Sequence, residues 1–412
     1  MFKERIASNR VMGAVKSFQV VVLSGARQTG KTTLLQHLFP AWDFVTFDPV
    51  TDIEGARADP DLFLDNHPAP LILDEIQYAT EVVAALKRRV DRAGNLPGQY
   101  ILTGSQQWQV MRLLAESMAG RAVFIDLQGL SVAESRDSAH GGWLQHWLTD
   151  GIAAPIWQSG QRSGISLHRW LWRGTLPGTL QIKDEWIPAF WDAYQRTYIE
   201  RDARAMAELG DWHQFGLFLR LAGALSAQEV NLSHLGREIG VVPNTARKWL
   251  NILRGTFQWH EVLAWQGNLV KRVSGKPKGY LTDTGLICYG QRVSTPEALA
   301  AHPLQGALFE TAVVNDIRSQ LGGLSFMPQL WHWRSAGGAE VDLILERDGV
   351  LFPMEIRLTS NPRLRDATGL NAFRAAYPAT SMAPGLIICA AERPRVVATN
   401  VFAVPWDWLA IG

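Results

Sequence analysis

The chain has 412 residues, of which 47% are hydrophobic, 19% charged and 10% aromatic, enough apolar material for several buried cores, which excludes a disordered chain, a collagen and a coiled coil. Its 40 Lys plus Arg balance 39 Asp plus Glu at a net charge of +1, which excludes a uniformly basic coat and an acidic tail protein, so any basic surface is local. The two cysteines, Cys288 and Cys389, exclude a disulfide framework and a four-ligand zinc site, and apolar runs as short as Phe18–Leu23 and Leu71–Leu73 cannot span a bilayer; together they predict a soluble, cytoplasmic protein without a membrane partner.

In chain order, the runs QVVVL, DFVTF, PLILD, YILTG and AVFIDL alternate with polar, helix-like stretches between Phe18 and about Leu127. Strands covered on both faces read as continuous hydrophobics, so this texture predicts an α/β fold, a parallel sheet with helices on both sides. From about Ser131 to Leu225 the sequence is Trp-rich and helix-like, broken at Gly174-Thr-Leu-Pro-Gly178; its tryptophans read as core, since large aromatics dominate buried area. Asn231 to Asp283 reads as helix, turn, helix and a basic hairpin. Beyond Pro303 a helix leads into the strands GAEVDLILE and LFPMEIRL and a last strand near Leu386–Ala390.

Gly25-Ala26-Arg27-Gln28-Thr29-Gly30-Lys31-Thr32 fits G-x-x-x-x-G-K-[ST] between the strand VVVLS and the helix-like TTLLQHLF, which begins with Thr32 and Thr33. Glycines at 25 and 30 let the backbone curl so that successive N–H groups point at phosphate oxygens, and the next helix adds its partial positive charge. Lys31 is placed to reach the β- and γ-phosphates and Thr32 to ligate magnesium. Downstream, the strand Leu71–Asp74 ends in Asp74-Glu75. Asp74 suits magnesium held through water, and Glu75 suits polarisation of an attacking water. In Tyr100–Ser105, Thr103 or Ser105 is a candidate to position that water, against a plain role as a polar strand end. Arg121, before AVFIDL, is a candidate to sense nucleotide in its own or a neighbouring subunit, against an ordinary surface arginine.

The runs VVVLSGARQTGKTTLLQHL, FVTFDP, LILDEIQYATEVVAALKRRVD, YILTGSQ and SMAGRAVFIDLQGLSVAE resemble the bacterial and archaeal AAA-type ATPases that carry a C-terminal domain of unassigned function, as do YQRTYIERDAR, KGYLTDTGLICY, LFETAVVNDI and EVDLILERDGVLFPMEIRLTS. The resemblance runs along nearly the whole chain. It implies a P-loop ATPase using ATP and Mg2+, a homo-oligomer such as a hexameric ring, with Lys31, Thr32, Asp74 and Glu75 in nucleotide and metal roles. The expected division is an ATPase domain at 1–145, a helical domain at 146–227, a winged helix-turn-helix at 228–285 and a restriction-endonuclease-like α/β domain at 286–412. Which arginine reaches a neighbouring site, Arg121, Arg201 or Arg204, stays open.

In Leu232–Leu253, Leu232, Leu235 and Ile239 make an apolar stripe, Gly240 supplies a turn and Asn244 or Thr245 is a candidate cap for a second helix. From Gln228 to Tyr280 the eight cations Arg237, Arg247, Lys248, Arg254, Lys271, Arg272, Lys276 and Lys278 face the three anions Glu229, Glu238 and Glu261, a local excess of +5. A recognition helix followed by a basic hairpin is the layout of a DNA-binding winged helix, with Arg247, Lys248, Arg254, Lys271, Arg272, Lys276 and Lys278 as candidate DNA contacts. The alternative is a module used for packing or oligomer contact.

Glu310, Asp342, Glu355 and Arg357 form a third constellation, with Glu355 and Arg357 on one strand face by period-two alternation. It resembles the restriction-endonuclease-like core, in which an Asp, a Glu and a Lys two positions on gather magnesium around a phosphodiester. Here Arg357 stands where that lysine would be, and a bulky, permanently charged fork suits the orienting of a water poorly. An active nuclease, a DNA-binding or structural remnant, and coincidental strand charges all remain open. The leading expectation is a Mg2+-dependent ATPase that couples turnover to DNA remodelling or translocation. The alternative is a nucleotide-controlled signalling or defence switch with a protein-binding or nuclease effector.

Overall fold

Val20, Val21, Val22 and Leu23 are apolar at both alternating positions, so a strand built from them must be covered on both faces. In the computed structural model, which describes residues 2–105, 116, 118–138, 142–153, 156–199, 203, 212–267 and 275–409, they form β1 (Val20–Ser24), the fourth strand of a parallel five-stranded sheet. With β2 (Asp43–Thr46), β3 (Leu71–Asp74), β4 (Tyr100–Gly104) and β5 (Ala122–Asp126), the order is β2-β3-β4-β1-β5. Helices α1 (Ser8–Ser17) and α2 (Lys31–Leu38) cover one face, where Val11, Leu34 and Leu35 meet Val21, Leu23, Ile72 and Ile101. Helices α3 (Pro60–Asn66) and α4 (Glu81–Ala93) cover the other, where Phe63, Val82 and Leu86 meet Val20, Val22, Leu73 and Leu102. Each such side chain contributes about 1.5–3 kcal/mol of burial. The sheet leaves Ser24, Asp74 and Gly104 at one edge, and the loops beyond this carboxyl edge are where a doubly covered sheet receives ligands.

Most tryptophans of the Trp-rich segment are core, as its composition predicts, while Trp186 is exposed. Trp143, Trp147, Trp170, Trp172 and Trp191 are buried, Trp147 meets Phe352 edge-on and Trp170 stacks on Trp406 with ring centroids 4.4 Å apart. The strand β6 (Gln161–Arg162) of this segment pairs with the distant Trp408–Leu409.

The rest of the chain builds one mixed sheet. Its strands are β7 (Gln228–Glu229), β8 (Trp259–Ala264), β9 (Lys278–Leu281), β10 (Gln329–Arg334), β11 (Glu340–Arg347), β12 (Val350–Arg357), β13 (Gly385–Cys389), β14 (Arg395–Ala398) and β15 (Val401–Pro405), in the order β14-β15-β13-β12-β11-β10-β8-β9-β7. Residues 228–285 and 286–412, expected as separate units, therefore share a sheet, joined where Leu263 and Ala264 of β8 pair with Trp331 and His332 of β10. The helix Leu232–Ile239 is capped by Asn231 and ends at Gly240, whose φ of 73° suits glycine. The next helix, Pro243–Gly255, starts behind Val242 with proline in its first turn, so neither Asn244 nor Thr245 caps it as expected; the fixed φ of Pro243 starts the helix two positions before a cap at Asn244 would. Among the described residues no helix is long and apolar enough to cross a membrane. Cys288 and Cys389 are free and buried.

The helix Gln305–Leu321 ties the second sheet to the first through Asp316, whose carboxylate accepts hydrogen bonds from the Val132 backbone N–H and the Gln320 amide, each at 2.7 Å. Burial pushes Asp316 up to about 7, beyond what these donors offset. The folded chain thus keeps a proton that the unfolded chain releases near pH 4, and this group lowers stability as pH rises from about 4 to about 7. Asp316→Asn is expected to lose less melting temperature than the wild type between about pH 5 and about pH 8, as thermal melts across that range would show.

Candidate functional site

The loop after β1 has the curl that its glycines allow. Gly25 has φ 146°, and a Cβ there would lie 2.3 Å from the Leu127 carbonyl oxygen, so no side chain fits without moving β5's exit. Gly30 sits in the left-handed region at φ 92° as the N-cap of α2, so no capping side chain competes for the first N–H groups of that helix. Ala26 and Thr29 close the curl, with Thr29 Oγ1 donating to the Ala26 carbonyl at 2.9 Å, and Lys31 Nζ donates to the carbonyls of Gly25 and Ala26, both at 2.9 Å. Thr32 and Thr33 open the first turn of α2.

The acidic pair meets this loop. Thr32 Oγ1 donates to Asp74 Oδ2 at 2.9 Å, and Thr103 Oγ1 donates to Asp74 Oδ1 while accepting from the Glu75 backbone N–H at 3.2 Å. Burial raises the Asp74 carboxyl above its ordinary range; the two threonine hydroxyls act against that rise and the neighbouring Glu75 adds to it. Glu75 adopts a left-handed φ of 57°, which turns the chain sharply out of β3. Its carboxylate accepts from the Gln77 amide, from Ser105 Oγ at 3.3 Å and from Arg27 Nη1 at 3.4 Å. The structure thus brings together the loop, Asp74, Glu75, Thr103 and Ser105.

Several contacts here have no motif signature. Arg5, buried in the first residues, donates to the Thr29 carbonyl at 2.7 Å and pairs with Glu134 at 3.0 Å. From the helical region, Tyr194 Oη donates to the Arg27 carbonyl at 3.3 Å, the Gln28 amide donates to Tyr198 Oη at 3.1 Å, and the Arg27 guanidinium lies 5.6 Å over the Tyr198 ring. A cleft of about 440 Å³ opens beside Gly30 and Thr33, walled by Phe2 and Lys3 on one side and Pro177–Gln181 on the other.

Three family models match the chain: "AAA domain" over residues 17–135, "Domain of unknown function (DUF8612)" over 165–297 and "Domain of unknown function (DUF4143)" over 305–409. The N-terminal domain is of the AAA, P-loop ATPase class. Behind it lie a helical region and a β-rich C-terminal domain matching DUF4143. "Uncharacterized protein Rv2008c" of Mycobacterium tuberculosis and "Uncharacterized protein Mb2031c" of Mycobacterium bovis are each 29% identical over 412 residues, covering 99% of this chain and 84% of theirs. Among solved structures, the Walker-type ATPase PABY2304 of Pyrococcus abyssi is 14% identical with a TM-score of 0.39, covering 71% of this chain and 96% of its own. The RuvB Holliday junction branch migration motor of Thermotoga maritima is 16% identical with a TM-score of 0.29, covering 62% and 88%.

Other expected residues lie elsewhere. Arg121 precedes β5, at the opposite edge of the sheet from the AAA domain's own P-loop, because Ala122 pairs with Val20 and Asp126 with Ser24. Five residues of strand, roughly 16 Å, separate the two levels, and Arg121 pairs with Asp91 at 2.6 Å. A role toward its own nucleotide is therefore ruled out by position. Arg201 and Arg204 lie outside the described residues.

Of the expected DNA contacts, Arg247, Lys248 and Lys276 are exposed. Arg254 is half-buried and ion-paired with Glu261, while Lys271 and Arg272 lie outside the described residues. Lys278 is a correction: it is buried, with Nζ 2.6 Å from Glu310 Oε1 and 2.9 Å from Asp342 Oδ1. It has left the basic surface because its strand, β9, turns it into the carboxylates of the C-terminal domain. There Glu355 pairs with Arg357, Tyr280 Oη donates to Glu310 at 2.8 Å and the Ile356 N–H donates to Asp342 at 2.9 Å. Burial and Asp342 raise Glu310 to about 7 against the pull of Lys278. Among the described residues no set of three or more His, Cys, Asp or Glu is arranged to hold a metal ion, so the expected nuclease-like quartet is not assembled as a metal centre.

The Thr103 hydroxyl is the buried donor that satisfies Asp74 from the sheet side. Thr103→Val keeps the volume and removes that donor, so a destabilisation of about 1–3 kcal/mol is expected in denaturant unfolding without nucleotide.

Proposed function

We propose that this AAA-type chain binds ATP with Mg2+ on residues 25–33 and hydrolyses it with Glu75 as the group that polarises water. The observation that carries the reading is the 2.9 Å hydrogen bond between Thr32 and Asp74 beside Glu75. The donor set fits the metal: a hydroxyl and a carboxylate oxygen, hard ligands that leave room for waters and phosphate oxygens, converge next to an uncapped helix N-terminus. Magnesium held there supplies neutralisation of phosphate charge. Lys31 moves from the Gly25 and Ala26 carbonyls to phosphate, and the cleft between Phe2 and Pro177–Gln181 receives the base. Ser105 and Gln77 hold Glu75, and Arg27 links it to the helical region through Tyr198.

The reading extends to DNA through Arg247, Lys248 and Lys276, exposed on a winged-helix module, with turnover in a homo-oligomer, such as a ring, driving remodelling or movement along DNA. In such an assembly Arg121, remote from its own P-loop, faces a neighbour's. The experiment is phosphate release from ATP with and without branched, duplex and single-stranded DNA. Lys31→Ala is expected to abolish nucleotide binding. Glu75→Gln is expected to keep binding and lose about 10²–10⁴-fold in turnover. Arg247→Ala with Lys248→Ala is expected to weaken DNA binding uniformly across sequences and flatten its salt dependence. Turnover indifferent to every nucleic acid would overturn the DNA reading and leave a nucleotide-controlled switch.

A further inference from the structure

The helix Trp212–Ala224, the π-helical turn Gln195–Ile199 that continues the helix Ile187–Tyr194, and the helix Thr284–Gly290 border a cavity of about 330 Å³. Trp212, Gly216 and Arg220 follow one another at four-residue steps, so they line it from one helix face. Asp192, Gln195 and Arg196 line it from the second helix. Tyr194, two positions past Asp192, lies on the far side of that helix, where it donates to the Arg27 carbonyl, so the cavity and the P-loop are on opposite sides of it. Two polar side chains in the cavity are unspent. Gln195 is 8% exposed, yet its amide makes no hydrogen bond among the described residues. The Arg220 guanidinium likewise has neither ion pair nor hydrogen bond among them, and its Nε is buried. A buried donor without an acceptor is a cost that a ligand can remove. Arg220 is also held in place: its backbone carbonyl accepts from the Gln291 amide at 3.0 Å, and its Cγ lies where a Cβ on Gly290 would be 3.5 Å away. Asp192 does not satisfy it, because that carboxylate already accepts from Tyr289 Oη and from Arg196 Nε, the latter at 3.1 Å. Gly216 keeps the middle open, since a Cβ there would meet nothing within 4 Å, and no close packing requires a glycine inside this helix.

We propose that this cavity binds a small phosphate monoester with an aromatic body, of the class of a nucleoside monophosphate, and that Arg220 and Gln195 grip its phosphate. The planar fork of a guanidinium matches two phosphate oxygens at once, and an amide N–H supplies a further donor. The permanent charge of Arg220 favours a dianion over a neutral ligand, and Arg196, whose side chain is 71% exposed, adds positive potential at the mouth. The volume is at the small end of ligand cavities, which suits a mononucleotide and excludes a nucleic-acid strand. Trp212 and Tyr289 line the same cavity and offer ring surface to an aromatic body. The site uses neither Lys31 nor any other residue of the P-loop.

The test is calorimetric titration of uridine 5′-monophosphate into the full-length chain and into its Lys31→Ala, Arg220→Gln and Gly216→Leu variants, with thermal melts to show that each is folded. The wild type and Lys31→Ala are expected to bind one equivalent with the same affinity. Arg220→Gln is expected to bind roughly ten- to a hundredfold more weakly, the effect of losing one charged hydrogen-bonding group. Gly216→Leu puts a side chain into the cavity and is expected to lose binding while melting no lower than the wild type, since leucine is the better helix former. Uridine is expected not to bind, and malonate not to displace the monophosphate. The proposal is overturned by a wild type that does not bind the monophosphate, by unchanged affinity in Arg220→Gln, by loss of binding in Lys31→Ala, or by uridine or malonate competing as well as the monophosphate. Should Arg220→Gln not fold, Gly216→Leu decides: lost binding in the folded variant supports the proposal and retained binding overturns it.

Discussion

Asp74 is the group on which the nucleotide end of the molecule depends. A carboxylate at the end of a fully buried strand must be satisfied by the protein itself, and the two hydroxyls that do so come from different places, Thr32 from the first turn of α2 and Thr103 from the neighbouring strand β4. The same three residues therefore fix the helix, the acidic strand and the polar strand in one register. Because Thr103 also accepts from the Glu75 backbone, the left-handed turn that presents Glu75 is held by the same hydroxyl. The site's geometry is thus a by-product of satisfying one buried acid.

The rest of the chain is attached to that site through the loop's outer surface. Tyr194 and Tyr198 reach Arg27 and Gln28 from the helical region, and Arg5 reaches Thr29 from the N-terminal segment. These contacts are made to the carbonyls of Thr29 and Arg27 and to the Gln28 and Arg27 side chains, and none is made to a loop N–H. Any rearrangement of Arg27 bears simultaneously on Glu75, Tyr78 and the Tyr198 ring.

The parallel sheet and its loop were legible from the sequence because both depend on local pattern. Continuous apolar strands, two glycines and a Lys-Thr pair can be read without knowing what lies beside them. The acidic pair was legible for the same reason. What was not legible depends on pairings between distant segments. Lys278 counts as one more basic residue in a hairpin until β9 is placed in the same sheet as β10, and only then does it become the partner of Glu310 and Asp342. Arg121 lies directly before β5 in sequence, yet the parallel register puts it at the end of the sheet away from the loop that follows β1. Tyr194 and Tyr198 sit within YQRTYIERDAR, a run whose resemblance was visible while its contacts with the P-loop were not.

The junction between β8 and β10 has a mechanical consequence. Exposed Arg247 and Lys248 ride on a helix whose own hairpin is hydrogen-bonded into the C-terminal sheet, so that helix cannot swivel on a hinge of its own. Its place is set by the strands to which that hairpin is bonded, from β9 through β8 to β10.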